Sequence, residues 1–349
     1  MCIRDRLDLL VDIPVVQADA LPDRLVGSGP WQPLRQHFDT LIMQAFARHW
    51  AGAPPAETLI WRAEPDARRR LSMLAQGEAD IAVDVPAQET GHITWVKQKS
   101  YLCVIFLFNL FQGPMRDVRV RQAINHAVNL TTVIDDPAVA AGQADALAGP
   151  LSPRHPGTPA TLAPYAFSPE RARQLLAEAG YAAGLSLDIA LPARFPDESI
   201  ALADNIARQL VEVGIQVNLS VGHDRPAYAQ RVRDKQFGDA CCFDSSPASA
   251  WRVYVEKLDS RRKGPWWQGY HSDELNALLD MIAATGDAGR RTALLEEAFF
   301  RVHQDAPWLF LYAPDSVWAL GEKASGWQPS VEGRVRIIRH REESRELGF

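Results

Sequence analysis

Two segments gather the side chains best suited to hold a polar ligand. One is Asp244-Ser245-Ser246-Pro247-Ala248-Ser249 with Trp251 and Tyr254 behind it, and the other is Gly264-Pro265-Trp266-Trp267-Gln268-Gly269-Tyr270. Tryptophan offers flat apolar area at low entropic cost, while Asp244, Gln268 and the serine hydroxyls such as Ser245 can fix a polar group's orientation. The chemistry so assembled is reversible recognition. A competing reading has Trp266 and Trp267 covering the core beneath a loop. Adjacent residues of an extended chain point to opposite sides, so one of the pair packs inward and the other faces solvent or a ligand.

Catalytic patterns are missing. The chain has no G-x-S-x-G elbow, no Walker loop, no G-x-G-x-x-G fingerprint and no H-E-x-x-H pair. Gly27-Ser-Gly-Pro30 reads as a turn, because Pro30 removes a backbone N–H that a phosphate cradle would use. The nine histidines show no metal spacing, and Cys2, Cys103, Cys241 and Cys242 form no CxxC pair. Neighbouring Cys241 and Cys242 cannot form an ordinary unstrained cross-link and read as small apolar residues of a strand. Neither a metal nor a cofactor is expected.

With 349 residues the chain has room for about two domains or one large two-lobed unit. Its 37 basic and 43 acidic side chains give a net charge of −6, which carries no general footprint for nucleic acid. The longest apolar run, Leu102–Phe111, is strand-sized, well short of the roughly 20 residues of a membrane span. The opening Met1-Cys-Ile-Arg-Asp-Arg6 lacks the apolar stretch of a signal peptide and resembles an adapter-derived leader, so the true N-terminus is expected upstream.

The elements that must carry these residues read as α/β. Leu71–Val85 suggests a helix stopped at Gly77 and followed by a strand through Ile81, Val83 and Val85, and residues 101–111 suggest a central strand buried on both faces. Asp117 is placed to cap a helix burying Val120, Ile124, Ala127 and Val128, with Arg119 and Arg121 on a solvated face. The proline-rich stretch 135–169 reads as an extended connection, and Ser168-Pro-Glu170 opens a helix ending at Gly180. Residues 185–221 read as a βαβ unit, followed by helices from near Ser272 and through Leu294–Val302, a strand Trp308–Tyr312, and a charged tail 339–345.

Several collinear segments resemble the family 5 extracellular solute-binding proteins of ABC transporters, the peptide, opine and nickel group. They are Val26-Gly-Ser-Gly-Pro-Trp31, Arg48-His-Trp-Ala-Gly-Ala-Pro54, Pro65-Asp-Ala-Arg68 through Gly77-Glu-Ala-Asp-Ile81, and Asp117-Val-Arg-Val-Arg-Gln-Ala-Ile-Asn125. Tyr165–Tyr181, Tyr270-His-Ser-Asp-Glu-Leu-Asn-Ala-Leu-Leu279 and Asp305-Ala-Pro-Trp-Leu-Phe-Leu-Tyr312 complete the series. The resemblance implies an α/β fold of two lobes, of the periplasmic-binding-protein type (type II, large cluster). Residues 7–112 with 311–349 would form lobe I, and 113–310 lobe II. Only about twenty-five residues precede Gly27, so the first lobe is expected to be incomplete, without its N-terminal strand and an additional subdomain.

The implied function is that of a substrate-binding receptor of an ABC importer, monomeric, periplasmic or membrane-tethered outside the cell. It would capture an oligopeptide or similar polar solute by hinge closure and pass it to a membrane permease, without bond chemistry. In that role Asp244 would pair with a cationic group, Trp266 and Trp267 would stack on the ligand, and Asn109 with Arg252 would hydrogen-bond its backbone or carboxylate. Ser245, Trp251, Tyr254 and Gln268 complete the expected lining. Where peptide-binding relatives have a G-W-x-A-D-Y-like loop, this chain reads Phe243-Asp-Ser-Ser-Pro-Ala-Ser249, which puts peptide specificity in question. Nickel or haem binding would rest on the family alone. The alternatives are a ligand-sensing domain of a transcription regulator and a cytoplasmic enzyme of unrecognised chemistry.

Overall fold

The computed structural model describes residues 27–85, 93–194, 196–330 and 335–337. The opening segment with Cys2 and the charged tail 339–345 lie outside the described residues. The chain groups into two compact units, which divide at Gln98/Lys99 and at Asp315/Ser316.

The smaller unit holds a three-stranded antiparallel sheet, β1 (Trp31–His37), β2 (Thr40–Ala45) and β3 (Thr58–Arg62), in that order. Helix α1 (Ala67–Ala75) follows, capped by Asp66, whose carboxylate accepts from the backbone N–H of Arg69 at 2.9 Å. Gly77, at φ +73°, turns the chain out of α1 towards β4 (Ile81–Val83), as the sequence suggested. β4 pairs antiparallel with Trp318–Leu320, and Leu74, Ala82, Val85, Val317 and Ala319 form a small core. Strand β5 (Thr94–Lys99) closes this part of the chain.

The larger unit is built around β6 (Cys103–Phe108), in which all six residues are buried. Alternation sends Val104, Phe106 and Phe108 into one apolar cluster and Cys103, Ile105 and Leu107 into the other, so one strand anchors the cores on both faces. Truncating a residue such as Phe106 to alanine would cost about 3–5 kcal/mol. Next come α2 (Val118–Ala127), capped by Asp117, α3 (Leu130–Asp135), β7 (Ala144–Ala146) and α4 (Pro169–Glu178), capped by Ser168. Then follow β8 (Leu185–Pro192), α5 (Ser199–Val211), β9 (Ile215–Gly222), α6 (Arg225–Arg233) and β10 (Ala240–Ser245). Helices α7 (Ala250–Lys257), α8 (Asp273–Ala284) and α9 (Ala288–Asp305) lead to β11 (Trp308–Leu320).

The sheet of this unit runs β11-β6-β10-β8-β9. β8 pairs parallel with β9 and with β10, the βαβ geometry expected from 185–221, while β6 lies antiparallel to both β10 and β11. The carboxyl ends of β8, β9 and β10 therefore share one edge, where the loops into α5, α6 and α7 also lie. Entry into β10 demands a glycine: Gly238 has φ +79°, and a Cβ there would stand 2.7 Å from the Asp188 carbonyl oxygen.

Three expectations change, and one helix was not anticipated. Residues 250–257 fold as α7, because Ser249 caps the backbone N–H of Arg252 and apolar residues fill one helical face. The proline-rich stretch contains β7, whose residues pair with Tyr312–Pro314. The final strand continues past Tyr312 to Leu320. Arg121 is not solvated: it is 6 % exposed, and its guanidinium donates to the carbonyls of Met115, Arg116, Asp305 and Ala306. The division by contacts falls outside the expected boundaries at 112/113 and 310/311, because β6 and the first residues of β11 share one sheet with β10.

Candidate ligand-binding site

In open α/β sheets ligands bind at the carboxyl ends of the strands, where loops and helix N-termini converge. Asp244, next to last in β10, sits at this edge with its side chain half-buried, and Arg225, the first residue of α6, reaches it with Nη2 3.1 Å from Oδ1. The Arg225 guanidinium also lies over the Tyr228 ring at 5.6 Å. The Tyr228 hydroxyl donates to the carbonyls of Cys242 at 2.6 Å and Ala190 at 3.2 Å, tying β10 to β8 beneath the pair.

A second polar group stands beside the first. Glu198, just before α5, accepts a 2.6 Å hydrogen bond from the Tyr312 hydroxyl. Burial raises the Glu198 carboxyl above the ordinary carboxylate range, the Tyr312 bond works against this, and the charges of Asp197 and Asp244 add to it. Ser245 is buried, and its Oγ has no hydrogen-bond partner among the described residues. Arg252, in the first turn of α7, bonds Glu256 through Nε at 2.9 Å and Nη2 at 2.8 Å. One turn later Lys257 is buried, and desolvation lowers its ammonium to about 8.

The other expected residues are placed differently. Trp251 and Tyr254 belong to the core, Trp251 beneath the Arg291 guanidinium at 5.7 Å and Tyr254 donating to the Leu295 carbonyl at 3.3 Å. Trp266 packs on Phe243 with 4.9 Å between ring centroids, under the Arg233 guanidinium. Asn109, Trp267 and Gln268 lie towards the opposite end of β10. Asn109 donates from Nδ2 to the Gly238 carbonyl at 2.9 Å, and the Gln268 carbonyl accepts from the Leu110 N–H at 2.9 Å. Trp267 donates from Nε1 to the Tyr270 carbonyl at 2.6 Å and meets Phe111 edge-on. At roughly 3.3 Å per residue, the length of β10 separates these three from Asp244 by about 16 Å.

Of the nine, Asp244 alone meets charged partners at this edge, Arg225 in contact and Glu198 with its Tyr312 bond nearby, while Ser245 follows it in β10 on the opposite face of the strand and Arg252 pairs with Glu256. Arg225 had a readable signal, since Asp224-Arg-Pro226 opens a helix three residues past the end of a strand. Glu198 and Tyr312 are far apart in sequence and had none. Among the described residues no group of three His, Cys, Asp or Glu could hold a metal ion, and no helix is long and apolar enough to cross a membrane.

Residues 12–240 match the family described as bacterial extracellular solute-binding proteins, family 5 Middle. The chain is 26% identical over 304 residues to heme-binding protein A of Haemophilus influenzae, covering 83% of this chain and 55% of that protein. It is 26% identical over 302 residues to the dipeptide-binding protein of Escherichia coli, covering 82% and 55%. The chain therefore spans little more than half the length of these curated relatives. Among solved structures it resembles the periplasmic binding protein DppA from Helicobacter pylori in complex with peptide STSA, with TM-score 0.75, 23% identity, and coverage of 89% of this chain and 61% of that one. NikA from Brucella suis in complex with Fe(III)-EDTA superposes with TM-score 0.76 at 20% identity, covering 92% and 70%. Likeness at such identities shows the fold, which is the α/β fold of the two-lobed periplasmic binding proteins. The family match spans well over half of the sequence, and the chain belongs to the bacterial extracellular solute-binding proteins of family 5.

Proposed function

We propose that this chain serves as the substrate-binding receptor of an ABC importer and captures an oligopeptide or a similar polar organic solute for delivery to a membrane permease. Family members are binding proteins rather than enzymes. The reading also takes the receptor as monomeric and as working in the periplasm or tethered outside the cell. Residues 7–112 with 311–349, and 113–310, remain the proposed lobes, and capture would come by closure about a hinge.

The observation that carries the reading is the Arg225–Asp244 pair at the carboxyl edge of the sheet. Both side chains keep about a quarter of their surface open, so the pair itself is worth little. A zwitterionic solute can exchange it for two contacts, with its carboxylate on Arg225 and its ammonium on Asp244.

Native mass spectrometry of the folded protein tests this. Retention of a solute from a peptide and amine mixture, lost in Asp244→Asn and in Arg225→Gln, is the expected result. A folded protein that retains nothing from such mixtures overturns the reading.

A further inference from the structure

We propose that the larger unit carries a second site, at the opposite end of its sheet, for a small inorganic oxoanion of the phosphate or sulfate type. The site is a cleft of about 250 Å³ lined by Arg116, Arg121, Tyr270, His271, Arg301 and Asp305, with Leu110 and Gly269 completing its wall. It lies where β6 ends and β11 begins, away from Asp244.

The charges of this cleft do not cancel. Its one carboxylate, Asp305, is already engaged: Oδ2 accepts from the Tyr270 hydroxyl at 2.6 Å and from Arg301 Nε at 2.9 Å. Arg301 is in turn shared with Glu274. Arg121 has no carboxylate within ion-pair distance among the described residues, and its buried guanidinium is held by backbone carbonyls alone. Those bonds leave one N–H of Nη2 unused, since that nitrogen donates only to the Asp305 carbonyl, at 2.7 Å. Arg116 is exposed and makes no side-chain hydrogen bond or ion pair among the described residues. Two guanidinium cations therefore face one cleft without an anion of their own. His271 adds a ring fixed by Ser260 Oγ at 3.0 Å and Asp273 at 3.3 Å.

Guanidinium groups match the oxygens of a tetrahedral anion and bond them as charge-assisted donors. The volume is below the roughly 300 Å³ at which pockets for drug-sized ligands begin, so the cleft suits an ion and excludes a peptide. This assignment is independent of the receptor function, because it uses none of the residues at the Asp244 edge.

The test is titration of the full chain with inorganic phosphate and, separately, with sulfate, at ionic strength held constant with chloride. Binding is followed by calorimetry and, for phosphate, by the ³¹P linewidth. The expected result is saturable one-site binding of at least one of the two oxoanions. Arg116→Ala should weaken it about tenfold or more, as loss of a charge-assisted contact does, with no change in the thermal midpoint of the ligand-free protein. Asp244→Asn should leave it intact. Absence of saturable binding at millimolar oxoanion, or equal binding by the wild type and Arg116→Ala, overturns the proposal.

Discussion

Replacing Lys257 by methionine should stabilise the protein near neutral pH. Lys257 lies in the last turn of α7, is 3 % exposed, and has no hydrogen-bond acceptor and no carboxylate within ion-pair distance among the described residues. Desolvation lowers its ammonium from 10.5 to about 8 in the folded chain. The unfolded chain therefore binds more protons between those limits, and stability rises with pH across that window. At 1.36 kcal/mol per tenfold, the charged lysine costs about 3 kcal/mol near pH 7, a cost that vanishes above pH 10.5. Methionine fills similar volume without the charge, as when buried ions are exchanged for apolar residues. Urea unfolding followed by tryptophan fluorescence, at several pH values from 7 to 10.5, should show Lys257→Met more stable by about 3 kcal/mol at the acid end, with about half of the gain left near pH 9. A gain that does not change with pH, or a loss at pH 7, would refute the argument, because only the titration of this amine produces the slope.

Glu198→Gln keeps an acceptor for the Tyr312 hydroxyl and removes a buried charge. Because burial raises the Glu198 carboxyl, its contribution is favourable below the unfolded value of about 4.5 and is lost as pH rises through the folded one. The variant should thus be more stable than the wild type near pH 7 and no different from it below pH 4.5, read by thermal melts at both. Gly157→Ala should cost about 3 kcal/mol in urea unfolding, because its Cβ would stand 2.2 Å from that of Leu295 at φ +83°. Cys103, Cys241 and Cys242 are buried, and burial pushes the Cys103 thiol up to about 12, so a thiol reagent should detect at most one equivalent, from Cys2, until the chain unfolds. Rapid reaction of two or more thiols in the native protein would contradict this placement.

What could be read in advance follows from how local each signal is. The β8-α5-β9 unit and the caps Asp117 and Ser168 were legible because period, cap and glycine stop all lie within a few residues of each other. The continuous apolar run at 103–108 announced a strand buried on both faces. Sheet β1-β2-β3 was missed, because its strands are largely exposed and carry no clean alternation. Arg121 misled through its charge: helical spacing places it beside Met115 and Asp305, and carbonyls take the role that solvent was expected to fill. Asp244 was singled out by type and position, but the pooling of Trp251, Tyr254 and Gln268 with it ignored that helix faces and strand ends separate sequence neighbours in space. Arg225, which meets Asp244 across the edge, required the strand order to be known.

The central strand β6 has a consequence for how the chain comes to be folded. Its partners are residues 240–245 and 308–312, so its neighbours on either side are made long after it. Pairings of such sequence separation form slowly, whereas the β8-α5-β9 crossover closes from adjacent segments. Until β10 and β11 emerge, the run Cys-Val-Ile-Phe-Leu-Phe is an unsheltered apolar segment of high β propensity, the kind that nucleates aggregates. The segment that anchors both cores of the finished unit is thus also one that must be kept from self-association while the chain is being made.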